Sequence, residues 1–263
     1  MDRKLPKEFI STKNLILCTG AQPIKHNCPV NAAGEPMLRP HGMVGLDTAL
    51  QPSQLLKTFS STEPSTIAVI GASHSAILVL MNLFNLAERE GKPIRIKWFT
   101  RHPLRYAEER DGWILRDNTG LKGDVATWAK ENLEDETFEY SPVNKFITKI
   151  RTSKETEQAD YQKHLRDCTH MIQAVGFEKV GPRIYAKPWD GEESGTRPTL
   201  DLVFDDLNGG FTYREDGKKV EGLYGAGIAY PEKVTDPEGN VEHAVGFIKF
   251  MTFLRRVMPT WSL

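Results

Sequence analysis

The sequence contains little cysteine. Its 263 residues include only Cys18, Cys28 and Cys168, and no two of them form a CxxC pair. An odd and sparse set argues against a disulfide framework, a zinc ribbon and a redox-active thiol pair, so buried or neutral thiols are expected. Cys168 and His170 lie close along the chain, but two potential ligands do not make a site, and we predict no bound metal.

Long apolar runs and an excess of one charge are also missing. The strongest apolar stretch, residues 76–86, contains Asn82 and Asn85 and is too short to cross a bilayer. The 34 Lys and Arg residues are balanced by 35 Asp and Glu residues, so no basic footprint for nucleic acid exists. Residues 1–11 lack the apolar core of a signal peptide. We expect a cytoplasmic protein with neither a nucleic-acid nor a membrane partner.

A strand, a glycine turn and a helix follow one another after residue 65. TIAVI at 66–70 is a continuous apolar, β-branched run, typical of a strand buried on both faces of a parallel sheet. A helix is predicted over residues 77–90, and IRIKWFT at 94–100 alternates as a second strand does. The length of this unit fits a βαβ arrangement and predicts an α/β fold.

The turn GASHSA at residues 71–76 has the composition of a phosphate-binding turn. Gly71 lacks a Cβ, which allows a sharp turn and lets backbone N–H groups approach a pyrophosphate. Ala76 stands where a small residue lets helix and strand pack closely. Ser73 replaces the middle glycine of GxGxxG, and Ser73 or Ser75 could bind a phosphate oxygen. His74 could contact the cofactor or transfer a proton, or simply fill the turn. The alternative is a structural turn with Ser75 as the helix N-cap.

The end of the second strand bears on the choice of cofactor. NAD-selective sites carry an acidic residue there, whereas this strand ends in Thr100, Arg101 and His102. A basic residue accommodates a 2′-phosphate, so the pattern favours NADPH over NADH, with Arg105 as a second candidate. The other explanation of Arg101 is a solvated surface charge.

The remaining elements are predicted from apolar spacing. Residues 124–133 and 245–257 have helical patterns, and residues 146–152 and 170–175 are typical of strands. The polar segment 156–167 indicates a loop or a hairpin. Residues 181–200 are rich in proline, glycine and serine and indicate an irregular excursion.

Four short motifs occur in a recognisable order. They are NLILCTG at 14–20, TIAVIGASHSA at 66–76, HMIQAVGF at 170–177 and GLYGAGIA at 222–229. In this order the sequence resembles the flavin-dependent pyridine nucleotide oxidoreductases, and the likeness is greatest to the flavin monooxygenase and N-hydroxylating monooxygenase branch. The resemblance extends from about residue 13 to about residue 256.

The resemblance implies a Rossmann-like, three-layer dinucleotide-binding fold, with an NADPH-type domain nested in an incomplete FAD-type domain. Residues 1–65 would be a remnant of the FAD-type domain and a connection. Residues 66–175 would bind NAD(P)H, and residues 176–263 would return to the FAD-type domain. Gly20, Gly225 and Gly227 would then lie in turns that contact a cofactor.

Two departures from the family pattern argue against FAD binding by this chain alone. The first βαβ unit of the family, with its own GxGxxG, has no counterpart in residues 1–13. Ile228 stands where the family usually has an Asp directed at the flavin ribityl chain. NADPH is therefore the expected cofactor and FAD the doubtful one. The surface left open predicts a homo-oligomer or a partner chain that supplies the missing unit.

The function that the resemblance implies is an FAD- and NADPH-dependent oxidoreductase of monooxygenase type, acting on a small organic metabolite. The alternative is a flavin-free relative that serves as a binding or partner subunit. Such a relative could also catalyse a non-redox step such as cyclisation or isomerisation. No catalytic residue is assigned, because the acidic pairs of the sequence are typical of solvated faces.

Overall fold

The computed structural model describes residues 11–31, 33–37, 42–185 and 199–262. These residues form two compact units. The central unit is Pro23–Glu178, and the flanking unit comprises the described residues up to Gln22 and from Lys179 onward. Of residues 1–65, predicted to be a remnant of the FAD-type domain and a connection, the described residues from Pro23 onward group with the central unit. The nesting of one dinucleotide-binding domain in another stays a prediction.

The described residues form short strands and seven α-helices. The strands are β1 (Leu15–Leu17), β2 (Ala21–Pro23), β3 (Ser65–Ile70), β4 (Ile94–Thr100), β5 (Glu108–Arg110), β6 (Trp113–Leu115), β7 (Ile147–Arg151), β8 (His170–Gln173), β9 (Phe177–Lys179), β10 (Leu202–Phe204), β11 (Gly210–Tyr213), β12 (Lys219–Gly225), β13 (Lys233–Thr235) and β14 (Val241–His243). The helices are α1 (Leu46–Ala49), α2 (Pro52–Thr58), α3 (His74–Glu88), α4 (Gly123–Asn132), α5 (Asp135–Phe138), α6 (Glu157–His164) and α7 (Phe247–Val257).

The central unit is built on a four-stranded parallel sheet in the order β7-β4-β3-β8. Val69 of β3 pairs with Trp98 on one side and with Ile172 on the other. Both faces of β3 are buried, because Ile67 and Val69 face one apolar cluster while Ala68 and Ile70 face another. This burial explains the unbroken apolar run of the strand and confirms the α/β class.

Helices cover both faces of this sheet. On one face α3 packs on the sheet through fully buried side chains at helical spacing: Ala76, Ile77, Val79, Leu80 and Leu83. On the other face Tyr161 and Leu165 pack with Phe99, whose ring centroid lies 5.3 Å from that of Tyr161. The sheet is therefore the middle layer of a helix–sheet–helix arrangement.

Two local predictions need correction. The segment 156–167, predicted as a loop or hairpin, contains α6; Tyr161 alone is buried within that helix, so its sequence carries almost no apolar periodicity. Tertiary packing against the sheet therefore stabilises a helix that the local sequence pattern does not predict. Helix α3 begins at His74 with Ser73 as its N-cap, so Ser75 lies inside the first turn and the alternative of Ser75 as N-cap is wrong.

The flanking unit contains a mixed sheet in the order β1-β12-β11-β10. Strand β1 runs parallel to β12, whereas β11 is antiparallel to both β12 and β10. Aromatic side chains form its core: the rings of Phe204, Phe211 and Tyr230 all contact one another, and Tyr224 stacks on Trp261 with ring centroids 4.4 Å apart. The helix predicted for residues 245–257 is present as α7. Most of the predicted excursion, residues 186–198, lies outside the described residues.

The cysteines differ in exposure. Cys168 is buried, and burial raises the pKa of its thiol to about 11, while Cys18 is exposed. All three are free thiols. In the described part of the chain, no helix combines the length and the apolar character that a bilayer crossing requires.

Candidate functional site

A cavity of about 520 Å³ lies at the carboxyl ends of the strands of the central sheet. Ile70 of β3, Phe99 of β4, Thr152 after β7 and Ala174 after β8 contribute to its wall. The chain leaves β3 toward β4 on one side, and β8 lies on the other side, so strand order reverses beside β3. Such a switch point is where open parallel sheets generally bind ligands.

Position 71 requires a glycine, because the backbone of Ala174 approaches it closely at this switch point. Its φ is 131°, and a Cβ built there would lie 2.2 Å from the carbonyl oxygen of Ala174. The Gly71 N–H donates to Phe99 O at 3.0 Å, and Gly71 O accepts from the indole N–H of Trp98 at 2.7 Å. The residue that lacks a side chain thus joins β3, β4 and the end of β8.

The other residues of the turn divide between cavity and core. Ser73 lines the cavity and is the N-cap of α3, yet its hydroxyl makes no capping hydrogen bond. Ala76 is fully buried, and its Cβ lies 3.3 Å from the position that a Cβ of residue 71 would take. The first N–H groups of a helix have no intrahelical acceptors, so the start of α3 presents donors and a positive dipole end here.

His74 and Ser75 do not line the cavity. Partial burial, assisted by the positive charge of Lys122, lowers the pKa of His74 below its ordinary value of 6.5. A role for His74 in proton transfer or cofactor contact stays a prediction, as does phosphate binding by Ser75.

Arg101 lines the cavity, but its guanidinium is already paired. Its Nε donates to Oε1 of Glu157 at 2.8 Å, and its Nη2 donates to Oε2 at 2.6 Å. The hydroxyl of Tyr161 donates to the same Oε1 at 2.9 Å. The bond to Glu157 raises the pKa of Arg101 above its ordinary value. The Arg101 side chain, which is 44% exposed, is thus paired with a carboxylate of α6, and its role toward a 2′-phosphate stays a prediction.

Sequence reasoning missed Glu157. Its side chain lines the cavity and is 21% exposed. It lies 56 residues beyond Arg101 in the chain, in a segment whose polarity predicted a loop. The signal that could have found it is topological: β7 is the neighbour of β4, so the acid that follows β7 lies next to the base that follows β4.

Arg105 supplies a second cation to the cavity wall. Its carbonyl oxygen accepts the N–H of Leu121 at 2.8 Å, which joins two segments of the wall. Within the ranges that the structure describes, the Arg105 guanidinium forms no ion pair. The charged side chains of Arg101, Arg105 and Glu157 together give the cavity wall an excess of positive charge.

Gly20, Gly225 and Gly227 belong to the flanking unit and do not line this cavity. Gly20 and Gly227 have φ values of 78° and 75°, with open space where a Cβ would lie. At Gly225 a Cβ would lie 2.6 Å from the ring of Tyr230, so packing accounts for this glycine.

The turn at Gly227 continues into the three-residue 3-10 helix Gly227–Ala229, which is too short to provide a helix N-terminus for phosphate. The neighbouring Ile228 is apolar and 42% exposed. This turn therefore offers a flavin neither a helix N-terminus nor a carboxylate at position 228. No group of three or more His, Cys, Asp or Glu side chains able to hold a metal occurs within the described ranges.

The central unit is thus an α/β unit with a parallel sheet covered by helices on both faces, and its cavity lies at the switch point where such sheets generally bind ligands. Over 247 residues, or 94% of its length, the chain is 49% identical to a curated protein of Paecilomyces divaricatus named Monooxygenase AgnR1. The chain spans 59% of the length of that relative. No protein-family model matches the chain.

Proposed function

We propose that this chain is the NADPH-binding part of a monooxygenase-type oxidoreductase that acts on a small organic metabolite. The 49% identity to a protein named a monooxygenase supports the reaction class. The same relative does not favour the alternative of a flavin-free protein with a non-redox role. The cavity at the carboxyl end of the parallel sheet carries the cofactor part of the proposal.

The cavity suits a dinucleotide in volume and in chemistry. Its volume of about 520 Å³ lies in the range usual for sites that hold small organic ligands. The N-terminus of α3 and the free hydroxyl of Ser73 offer donors to a pyrophosphate, as helix N-termini generally do. Arg101 and Arg105 offer cations to a 2′-phosphate.

NADPH would supply two electrons as a hydride, and a monooxygenase needs a redox group to receive them. The described residues near Gly225 do not fit that group, because Tyr230 and Phe204 fill the space beside the glycine. A second chain or a further segment would have to provide the acceptor.

Titration calorimetry of the purified chain with NADPH, NADH and FAD tests the proposal. We expect NADPH and NADH to bind and FAD to give no measurable heat. The absence of binding by both nicotinamide nucleotides would overturn the proposal.

Arg101→Ala should weaken NADPH binding about tenfold, because it removes one charged contact and leaves Glu157 unpaired in the cavity. NADH binding should change less than about twofold, since NADH carries no 2′-phosphate. Arg95→Ala is the matched control: Arg95 lies at the amino end of the same strand and does not line the cavity. Equal losses of NADPH and NADH affinity on Arg101→Ala would show that Arg101 does not bind the 2′-phosphate.

The prediction of a homo-oligomer or a partner chain belongs to the same proposal. Strand β1 is an edge strand of its sheet, and Leu15 and Ile16 on it are 48% and 39% exposed. On α7, Phe247 and Ile248 are each 78% exposed. Light scattering measures the oligomeric state, and a monodisperse monomer would contradict the homo-oligomer.

A further inference from the structure

The carboxylate of Glu157 occupies the part of the cavity wall where the proposed function places the 2′-phosphate of NADPH. Both oxygens of the carboxylate accept hydrogen bonds from Arg101, and Oε1 also accepts one from Tyr161. The side chain is 21% exposed, and it faces the cavity together with Arg101 and Arg105. An acid and two bases therefore lie in the wall of the site.

We propose that Glu157 determines how far the cavity discriminates between NADPH and NADH. The proposal rests on the proposed function, because it concerns the same cavity. Glu157 takes the place of the acid that is missing from the end of β4 and reaches the site from α6 instead.

NADPH and NADH interact differently with the carboxylate of Glu157. A 2′-phosphate is an anion, so it must compete with Glu157 for the guanidinium of Arg101, and it is repelled by the remaining carboxylate charge. The 2′-hydroxyl of NADH can donate a hydrogen bond to a carboxylate and leaves the Arg101–Glu157 pair intact. Glu157 therefore weakens NADPH binding relative to NADH binding, while Arg105 still attracts the phosphate.

The ion pair with Glu157 restrains Arg101 strongly enough to reduce its affinity for a 2′-phosphate. The pair has two parallel N–H···O bonds, the geometry that gives Arg–carboxylate pairs their strength. The third bond, from Tyr161, fixes the carboxylate from the side of α6. A bound 2′-phosphate must break at least part of this network, which reduces the affinity that a free arginine would provide.

The test compares dissociation constants for NADPH and NADH, measured by calorimetry on the wild-type chain, E157Q and E155Q. Glutamine keeps the size of the side chain and removes its charge. E155Q changes the net charge equally, but Glu155 is exposed and does not line the cavity. Thermal unfolding of each variant confirms that it is folded before binding is measured.

We expect E157Q to tighten NADPH binding about tenfold and to change NADH binding less than about threefold, with E155Q close to wild type. In the wild-type chain, the preference for NADPH should be less than about tenfold. This wild-type measurement does not depend on the folding of any variant.

A wild-type preference for NADPH above about a hundredfold, or an unchanged preference in E157Q, would overturn the role of Glu157 while leaving the proposed function intact. An equal change in E155Q and E157Q would assign the effect to net charge and would also overturn it. If neither NADPH nor NADH bound to the wild-type chain or to E157Q, the proposed function and this inference would both be overturned.

Discussion

Two glycine turns, at Gly71 after β3 and at Gly225 at the end of β12, differ in what lies beyond the glycine. Gly71 follows β3 and leads into the fifteen-residue helix α3 beside a large cavity. Gly225 ends β12 and leads into a three-residue 3-10 helix, with Tyr230 and Phe204 packed against it. A helix N-terminus and open space make the first turn suitable for phosphate, whereas the second lacks both.

The comparison shows that a glycine in such a turn reports a close approach of backbone, and that a ligand site needs further features. At Gly71 the close neighbour is the carbonyl of Ala174, and at Gly225 it is the ring of Tyr230. Both glycines are explained by packing. Only Gly71 is also adjacent to unfilled volume lined by polar and charged side chains.

The largest effect is expected from Gly71→Ala. The new Cβ would lie 2.2 Å from backbone and the φ of 131° is unfavourable for alanine. We expect the free energy of unfolding to fall by about 4 kcal/mol, as measured by denaturant titration. Gly227→Ala is the control, because its Cβ would meet open space at a φ of 75°, and it should cost about 1 kcal/mol. Equal costs at the two positions would contradict the close approach at Gly71.

Tyr230→Ala should remove the packing that fills the second turn. Tyr230 is 5% exposed and contacts the rings of Phe204 and Phe211, so its truncation should cost about 3 kcal/mol of unfolding free energy in the flanking unit. Tyr213→Ala, in the same unit but at a residue that is only partly buried, should cost less. NADPH affinity should not change in either variant, and a large loss in Tyr230→Ala would indicate that the flanking unit takes part in binding.

A smaller effect is expected at Ser73. Ser73→Ala should weaken NADPH binding about fivefold, because a hydroxyl that faces the cavity is lost, and should alter stability by less than about 0.5 kcal/mol, since no capping bond is lost. Ser75→Ala is the matched control outside the cavity and should leave the affinity unchanged. Calorimetry and denaturant unfolding separate the two properties, and equal losses of affinity would remove Ser73 from the site.

The smallest effect is expected in the pH dependence of stability. It concerns His170, which lies at the amino end of strand β8 in the central sheet. Burial lowers the pKa of His170 below its ordinary value of 6.5, so the unfolded chain binds more protons than the folded chain just below that pH. Stability should therefore decrease as pH falls from about 7 toward about 5.5, and His170→Gln should flatten this decrease. Unfolding at a series of pH values measures it. A slope that stays unchanged in His170→Gln would assign the decrease to other groups.

Much of the central unit could be predicted from the sequence, because its strands carry unbroken apolar runs and its longest helix a clear apolar pattern. Strands β3 and β4 and helix α4 lie within one residue of their predicted positions. The short hairpin of β5 and β6 and the pair β13 and β14 were not predicted, because three-residue strands leave no periodic pattern. Helix α6 was missed because one buried residue, Tyr161, is too few to show a helical period.

The sequence by itself determined the buried strand of β3, the glycine after it and the basic residue at the end of β4. These are local features, set by side-chain volume, backbone freedom and charge along a short stretch of chain. Only the tertiary structure decided that Glu157 pairs with Arg101, that Ser73 faces the cavity while Ser75 does not, and that Tyr230 fills the space beside Gly225. These contacts depend on which strands become neighbours, and strand order is fixed by packing over the whole sheet.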